Sequence, residues 1–132
     1  MFKGAITTAT AAVANTNIPF TVAYNTNNNT AYDATNNIVN ITKPGFYDVT
    51  ANLVVTGVAA GNISAQLYAN GVAIPEAVAS GTSGAVTDVI TLPIDDMFRV
   101  ISSNLTAFGN LSVRLSAAAT INSAVFIVEK VR

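Results

Sequence analysis

The sequence has no cysteine, no histidine and no tryptophan, and charged residues make up only 10% of its 132 positions. Without cysteine there are no disulfides, no thiol nucleophile and no thiolate metal site. Without histidine, Ser-His-Asp and Cys-His catalysis are excluded, together with imidazole ligation of a metal. A formal net charge of −1 supplies no basic field for nucleic acid or an anionic lipid surface, so neither is expected as a partner. No run of about eighteen apolar residues occurs, as a helical membrane span would need. The glycines form neither a Walker loop nor a G-x-G-x-x-G turn.

What is present is apolar: hydrophobic residues reach 51%. The polar surface must come from Asn, Thr and Ser. A monomer with so little charge is prone to self-association, and permanent burial of apolar faces against other subunits is one remedy. The length suits one domain. The start, Met1 to Asn15, is Thr-rich where a leader would need a solid hydrophobic run. Residues 1–17 are therefore expected to be an N-terminal arm or first strand, followed by one domain over 18–132.

The hydrophobic pattern has period two. Phe20, Val22 and Tyr24 share a face, and the Asn/Thr cluster from Asn25 to Thr30 reads as a loop. Lys43-Pro44-Gly45 turns the chain. Tyr47, Val49, Ala51, Leu53 and Val55 then alternate with Asp48, Thr50 and Asn52, as in a half-buried strand. Ile63 to Ala69 is a second one-sided strand, and Asn70-Gly71 is a two-residue hairpin turn leading to Val72–Val78. Ser80 to Gly84 is expected to be a flexible loop. Val86–Leu92 reads as a strand, Pro93–Asp96 as a turn and Met97–Ser103 as the next strand. Eight to ten short strands with no confident helix predict a sandwich or barrel. The last strand, Ala124 to Val131, is apolar on both faces, so something must cover its second face.

The chemistry is sparse. Asp95-Asp96 is the one acidic cluster visible along the chain. Beside Pro93 it reads as a turn, and one adjacent pair supplies too few oxygens for calcium, which takes about six to eight. No metal, cofactor or catalytic residue is expected. The five N-x-S/T triplets are expected by chance in so Asn-rich a chain, and are not read as glycosylation sites. The aromatics sit mostly on strand faces and are expected in the core.

The stretch from Ala31 to Val55 resembles the signature of the tumour-necrosis-factor and complement-globular-head superfamily, with Tyr32-Asp33, Pro44-Gly45 and Tyr47 in the characteristic places. Leu67 to Ile74 resembles that superfamily's hairpin, Ile90 to Val100 its later strand, and Ser123 to Val131 its closing strand. The resemblance runs in order from about Ile18 to Val131. It implies an all-β, two-sheet antiparallel jelly-roll sandwich, TNF-like and homotrimeric, associating through the sheet that holds the first and last strands. The style of the sequence is also similar to small bacteriophage virion proteins and to the heads of spore-surface collagen-like proteins. With no collagen stalk and its own Met just before the fold, a complete small gene product is expected.

Two functions follow as expectations. One is a structural virion protein, a trimeric phage capsid decoration or head-fibre protein bound to a capsid or fibre protein. The alternative is a receptor- or glycan-binding head of a phage fibre or of a bacterial cell or spore surface. For the trimer interface or core the candidates are Phe20, Tyr47, Phe126, Ile127 and Val128. For contact loops they are Asn27, Asn28, Asn29, Tyr32 and Thr82, with a host-surface glycan as a candidate ligand.

Overall fold

A computed structural model describes residues 1–26, 29–101 and 109–131. Its strands are β1 (Phe2–Ile6), β2 (Thr10–Ala12), β3 (Thr21–Asn25), β4 (Thr30–Asp33), β5 (Ile38–Ile41), β6 (Gly45–Thr56), β7 (Gly61–Ala69), β8 (Val72–Ser83), β9 (Ile90–Val100), β10 (Asn110–Leu115) and β11 (Ala119–Lys130). No helix occurs among the described residues. The first sheet has the order β3-β1-β11-β6-β9, with β2 also on β11; the second has the order β4-β5-β10-β7-β8. Every pairing is antiparallel.

Alternation explains the layers. Tyr47, Val49, Ala51, Leu53 and Val55 of β6 are buried, as are Phe126 and Val128 of β11. They meet Ile63, Ala65 and Leu67 of β7 and Leu111, Val113 and Leu115 of β10, so the core lies between the sheets. At one end the Phe126 ring packs 5.2 Å from Phe20 and 6.1 Å, edge-on, from Phe2. Residues 1–17 carry β1 and β2. β1 lies between β3 and β11, with Phe2 fully buried.

Local chemistry fixes the turns. Asn70 and Gly71 both take positive φ, 53° and 77°, as the primed hairpin turn requires. The Tyr47 hydroxyl donates 2.6 Å to the Lys43 carbonyl and ties the Pro44-Gly45 turn to β6. A bulge in β8 opposite Leu67 leaves carbonyls that the Gln66 amide satisfies, donating to Leu67, Ile74 and Ala77.

Two sequence expectations are corrected. Ser80–Gly84 is not a flexible loop: β8 runs through Ser83, whose Oγ is buried 2.8 Å from the Val58 carbonyl. Nor does the chain turn at Pro93–Asp96, because β9 is continuous and pairs with β6 from Gly45↔Val100 to Val55↔Ile90. β9 ends the first sheet, so the missing proline N–H costs no ladder bond on the open side. Pro75 lies in β8, the end strand of the second sheet, by the same logic. The strands are accordingly longer than the eight to ten short ones expected, with 12 residues in each of β6, β8 and β11. On the opposite side, Asn25 of β3 donates to the Thr30 carbonyl (3.0 Å) and accepts from the Thr30 hydroxyl (2.9 Å), joining the two sheets.

Candidate functional site

The side chains of the first sheet that point away from the core form the candidate site. Period two dictates which they are: Lys3 and Ala5 of β1, Val125, Ile127 and Glu129 of β11, Asp48, Thr50, Asn52 and Val54 of β6, and Pro93, Asp95 and Met97 of β9. These positions are half-buried or exposed, and Met97 is 59% exposed. The second face of β11, apolar in the sequence, is thus not covered by the described residues of its own chain. Two shallow depressions lie along it. One, of about 410 Å³, is lined by Thr50, Asn52, Pro93, Asp95, Val125 and Ile127. The other, of about 500 Å³, is lined by Lys3, Ala5, Thr7, Val54, Ser123 and Val125.

One margin of this face is acidic. Glu129 pairs with Asp48 across β11 and β6, and Asp95 lies diagonally from Asp48 on β9. Asp48 is pushed above the usual carboxylate range by burial, then by the charge of Asp95 and a hydrogen bond with it, then by the charge of Glu129. The acidic pair expected at Asp95-Asp96 is corrected in the same way. Mid-strand, the two residues point to opposite faces, so they cannot act together on one ion. Asp96 faces inward, where one carboxyl oxygen is buried without a partner. Burial raises its pKa, as do the charges of Glu76 and Asp95, against a bond from the Met97 N–H. No group of three or more acidic residues placed to hold a metal occurs among the described residues.

The candidate interface-or-core residues separate cleanly. Phe20, Tyr47, Phe126 and Val128 lie inside the sandwich, and Ile127 alone of the five is on the outer face. The contact-loop candidates do not converge. Asn27 and Asn28 lie outside the described residues. The Asn29 carbonyl accepts from the Thr42 N–H at 2.8 Å. Tyr32 stacks on Phe2 at 5.3 Å, and its hydroxyl accepts from the Phe20 N–H and donates to Asn37, so its ring is no free platform for a sugar. Thr82 belongs to β8 and donates 3.3 Å to Asn62.

Sequence reasoning missed three surface aromatics, each under a cation. Lys3 lies 5.9 Å from the Tyr24 ring, Arg99 5.6 Å from Phe46 and Arg114 4.3 Å from Tyr68. It also missed the acidic margin, which only the strand register assembles.

No family model and no curated protein matches the sequence. Solved structures match its fold over nearly its whole length. The Eiger TNF of S. frugiperda superimposes with a TM-score of 0.74 at 12% identity, covering 99% of this chain and 90% of that one. PRD1 vertex protein P5 gives 0.67 at 16% identity, covering 99% and 96%. Murine APRIL at pH 5.0 gives 0.64 at 11% identity, covering 97% and 98%. The fold is a TNF-like jelly roll, shared by the Eiger TNF of S. frugiperda, murine APRIL and a vertex protein.

Proposed function

We propose that this chain is a structural virion protein, a homotrimeric phage capsid decoration or head-fibre protein displayed on the virion surface. The observation that carries the reading is the outer face of the first sheet. Ala5, Val54, Val125, Ile127 and Met97 form an apolar surface that no described element covers, on a chain with too little charge to leave such a face in water. Three copies packing that face together would bury it, in an obligate interface of roughly 2,000 Å² or more. The fold shared with PRD1 vertex protein P5 supports the virion setting. The absence of histidine and cysteine fits a structural rather than a catalytic role.

A receptor- or glycan-binding head on a fibre or a bacterial surface draws less support. Tyr32 and Thr82 are engaged within the fold and do not converge on a common site. Light scattering at micromolar concentration tests the assembly: a mass three times that of the 13.6 kDa chain is expected, and a single-chain mass would refute it. Immuno-electron microscopy and quantitative mass spectrometry of purified particles test the setting. Regular labelling of the shell is expected; label confined to fibre tips, or absent from particles, would refute decoration.

A further inference from the structure

Arg114 stands on β10, the middle strand of the second sheet. Leu111, Val113 and Leu115 of that strand turn into the core, so Arg114 turns out, onto the face away from the first sheet. Its guanidinium is held from two directions. It lies 4.3 Å over the Tyr68 ring, and its Nε donates 2.8 Å to the Asn17 side-chain oxygen. Asn17 is itself fixed, since its amide donates 3.0 Å to the Asn36 carbonyl. Stacking sets the plane of the guanidinium, and the Nε bond sets its direction within that plane. The end-on pair of Nη groups is left over, and among the described residues it donates to none.

Nor does the charge find a partner nearby in its own chain. Along β4, β5, β10 and β7 the other charged side chain is Asp33. Its carboxylate accepts from the Asn36 amide and from the N–H groups of Asn36 and Thr35, and these bonds hold its pKa below the usual range. Glu76 of β8 acts on Asp96 of the first sheet, whose pKa it raises. One oriented pair of N–H donors matches one planar carboxylate, which it grips with two parallel hydrogen bonds. A lone cation does not suit nucleic acid, whose binding draws on many phosphate contacts. Around Arg114 the face carries Asn40, Asn110, Ser64 and the Tyr68 hydroxyl, groups that both donate and accept. Such groups complement the hydroxyls of a sugar.

We infer that the outer face of the second sheet binds an acidic sugar, a uronic or sialic acid residue of a glycan. Its carboxylate sits on the Nη pair of Arg114, and its hydroxyls meet the amides and hydroxyls around Tyr68. The inference goes beyond the structural role proposed above and is independent of it, because no residue of the first sheet takes part. Tyr32 and Thr82, engaged within the fold, take no part either.

Nuclear magnetic resonance of the whole isotope-labelled chain tests it, with sodium glucuronate, sodium acetate and glucose as probes at equal ionic strength. Glucuronate is expected to shift the Arg114 Nε–H signal together with the backbone amides of Tyr68 and Asn40. Acetate carries the carboxylate alone and should need about tenfold more to reach the same shift at Arg114. Glucose should shift nothing. Arg114→Lys keeps the charge but loses the paired donors, and should weaken glucuronate binding about tenfold. Asn17→Ala frees the guanidinium without altering its charge and should weaken binding in the same direction. Acetate as effective as glucuronate would reduce the site to a bare anion contact and overturn the inference. Shifts confined to other parts of the chain, or equal binding by Arg114→Lys, would overturn it too. If the variants fail to fold, the three probes on wild type still decide. A wild type that sediments as single chains would overturn the assembly reading and leave this one standing.

Discussion

Neighbouring residues 126 and 127 have opposite fates, and replacing each with alanine tests the whole inside–outside assignment. Phe126 is 1% exposed and touches the rings of Phe20 and Phe2. Its side chain removes about 200 Å² from water, about 5 kcal/mol at ~25 cal/mol per Å². Alanine keeps a fraction of that, while the cavity and two lost ring contacts add to the cost. Phe126→Ala should therefore lose about 4–5 kcal/mol, within the range seen for buried aromatics. A single domain has only about 5–15 kcal/mol to lose. At this chain length the melting point should fall by roughly 12–25 °C. Ile127 is half-buried on the outer face, so Ile127→Ala should cost about 1 kcal/mol or less within a single chain. Its effect should appear instead as weakened assembly, and as lost stability only at concentrations where wild type is assembled. Guanidinium unfolding followed by circular dichroism, at submicromolar and at high micromolar protein, separates the two. A Phe126→Ala midpoint close to wild type, or equal losses for both variants at the lower concentration, would refute the assignment.

Three further outcomes are expected. Gly81→Ala should destabilise the fold by about 1–3 kcal/mol in thermal melts, because a Cβ there would lie 2.6 Å from Ile90 Cγ2 between β8 and β9. Tyr47→Phe should cost about 1–2 kcal/mol in chemical denaturation, since it strips the Lys43 carbonyl of its donor. Asp96→Asn should raise the melting point at pH 7. Its carboxyl has a raised pKa in the folded chain, so the native state takes up the proton first; the penalty of the buried charge is present above the folded value and gone below the unfolded one, near pH 4. The gap to wild type should therefore close on acidification across that window, and a gap that is constant or widens towards pH 4 would contradict the burial of Asp96.

The architecture was legible wherever a strand has one wet face. β6 and β7 announce themselves by strict alternation, and Asn70-Gly71 names its own turn. The strands misread were those whose context lies elsewhere in space. Pro93 looks like a break until β9 is seen to end a sheet, and Ser80–Gly84 looks mobile until Ser83 is found bonded to Val58. The two-faced pattern of β11 marked the candidate surface but could not divide Phe126 from Ile127, because both faces are apolar. The acidic margin was out of reach for a different reason. Asp48, Asp95 and Glu129 are far apart along the chain, and only pairing across three strands brings them together. The adjacent Asp95 and Asp96 attracted notice, yet a strand's period of two drives such neighbours apart.

The prolines of β8 and β9 bear on how the protein tolerates crowding. Both strands end their sheets on the same side of the sandwich. On the far side, Asn25 and Thr30 clasp the other two end strands together. Open sheet ends are where foreign strands add and cross-β fibres nucleate, and proline interrupts the row of amide donors that such growth requires. With so few charges, mutual repulsion between molecules is feeble, so resistance to fibrillation must be geometric. In the proposed assembly the molecule sticks by its face, where contact closes on itself, while prolines interrupt the rims, where contact would never end. Concentrated stocks should consequently stay clear and unreactive to amyloid dyes, and Pro93→Thr is the change that would expose them to gelation.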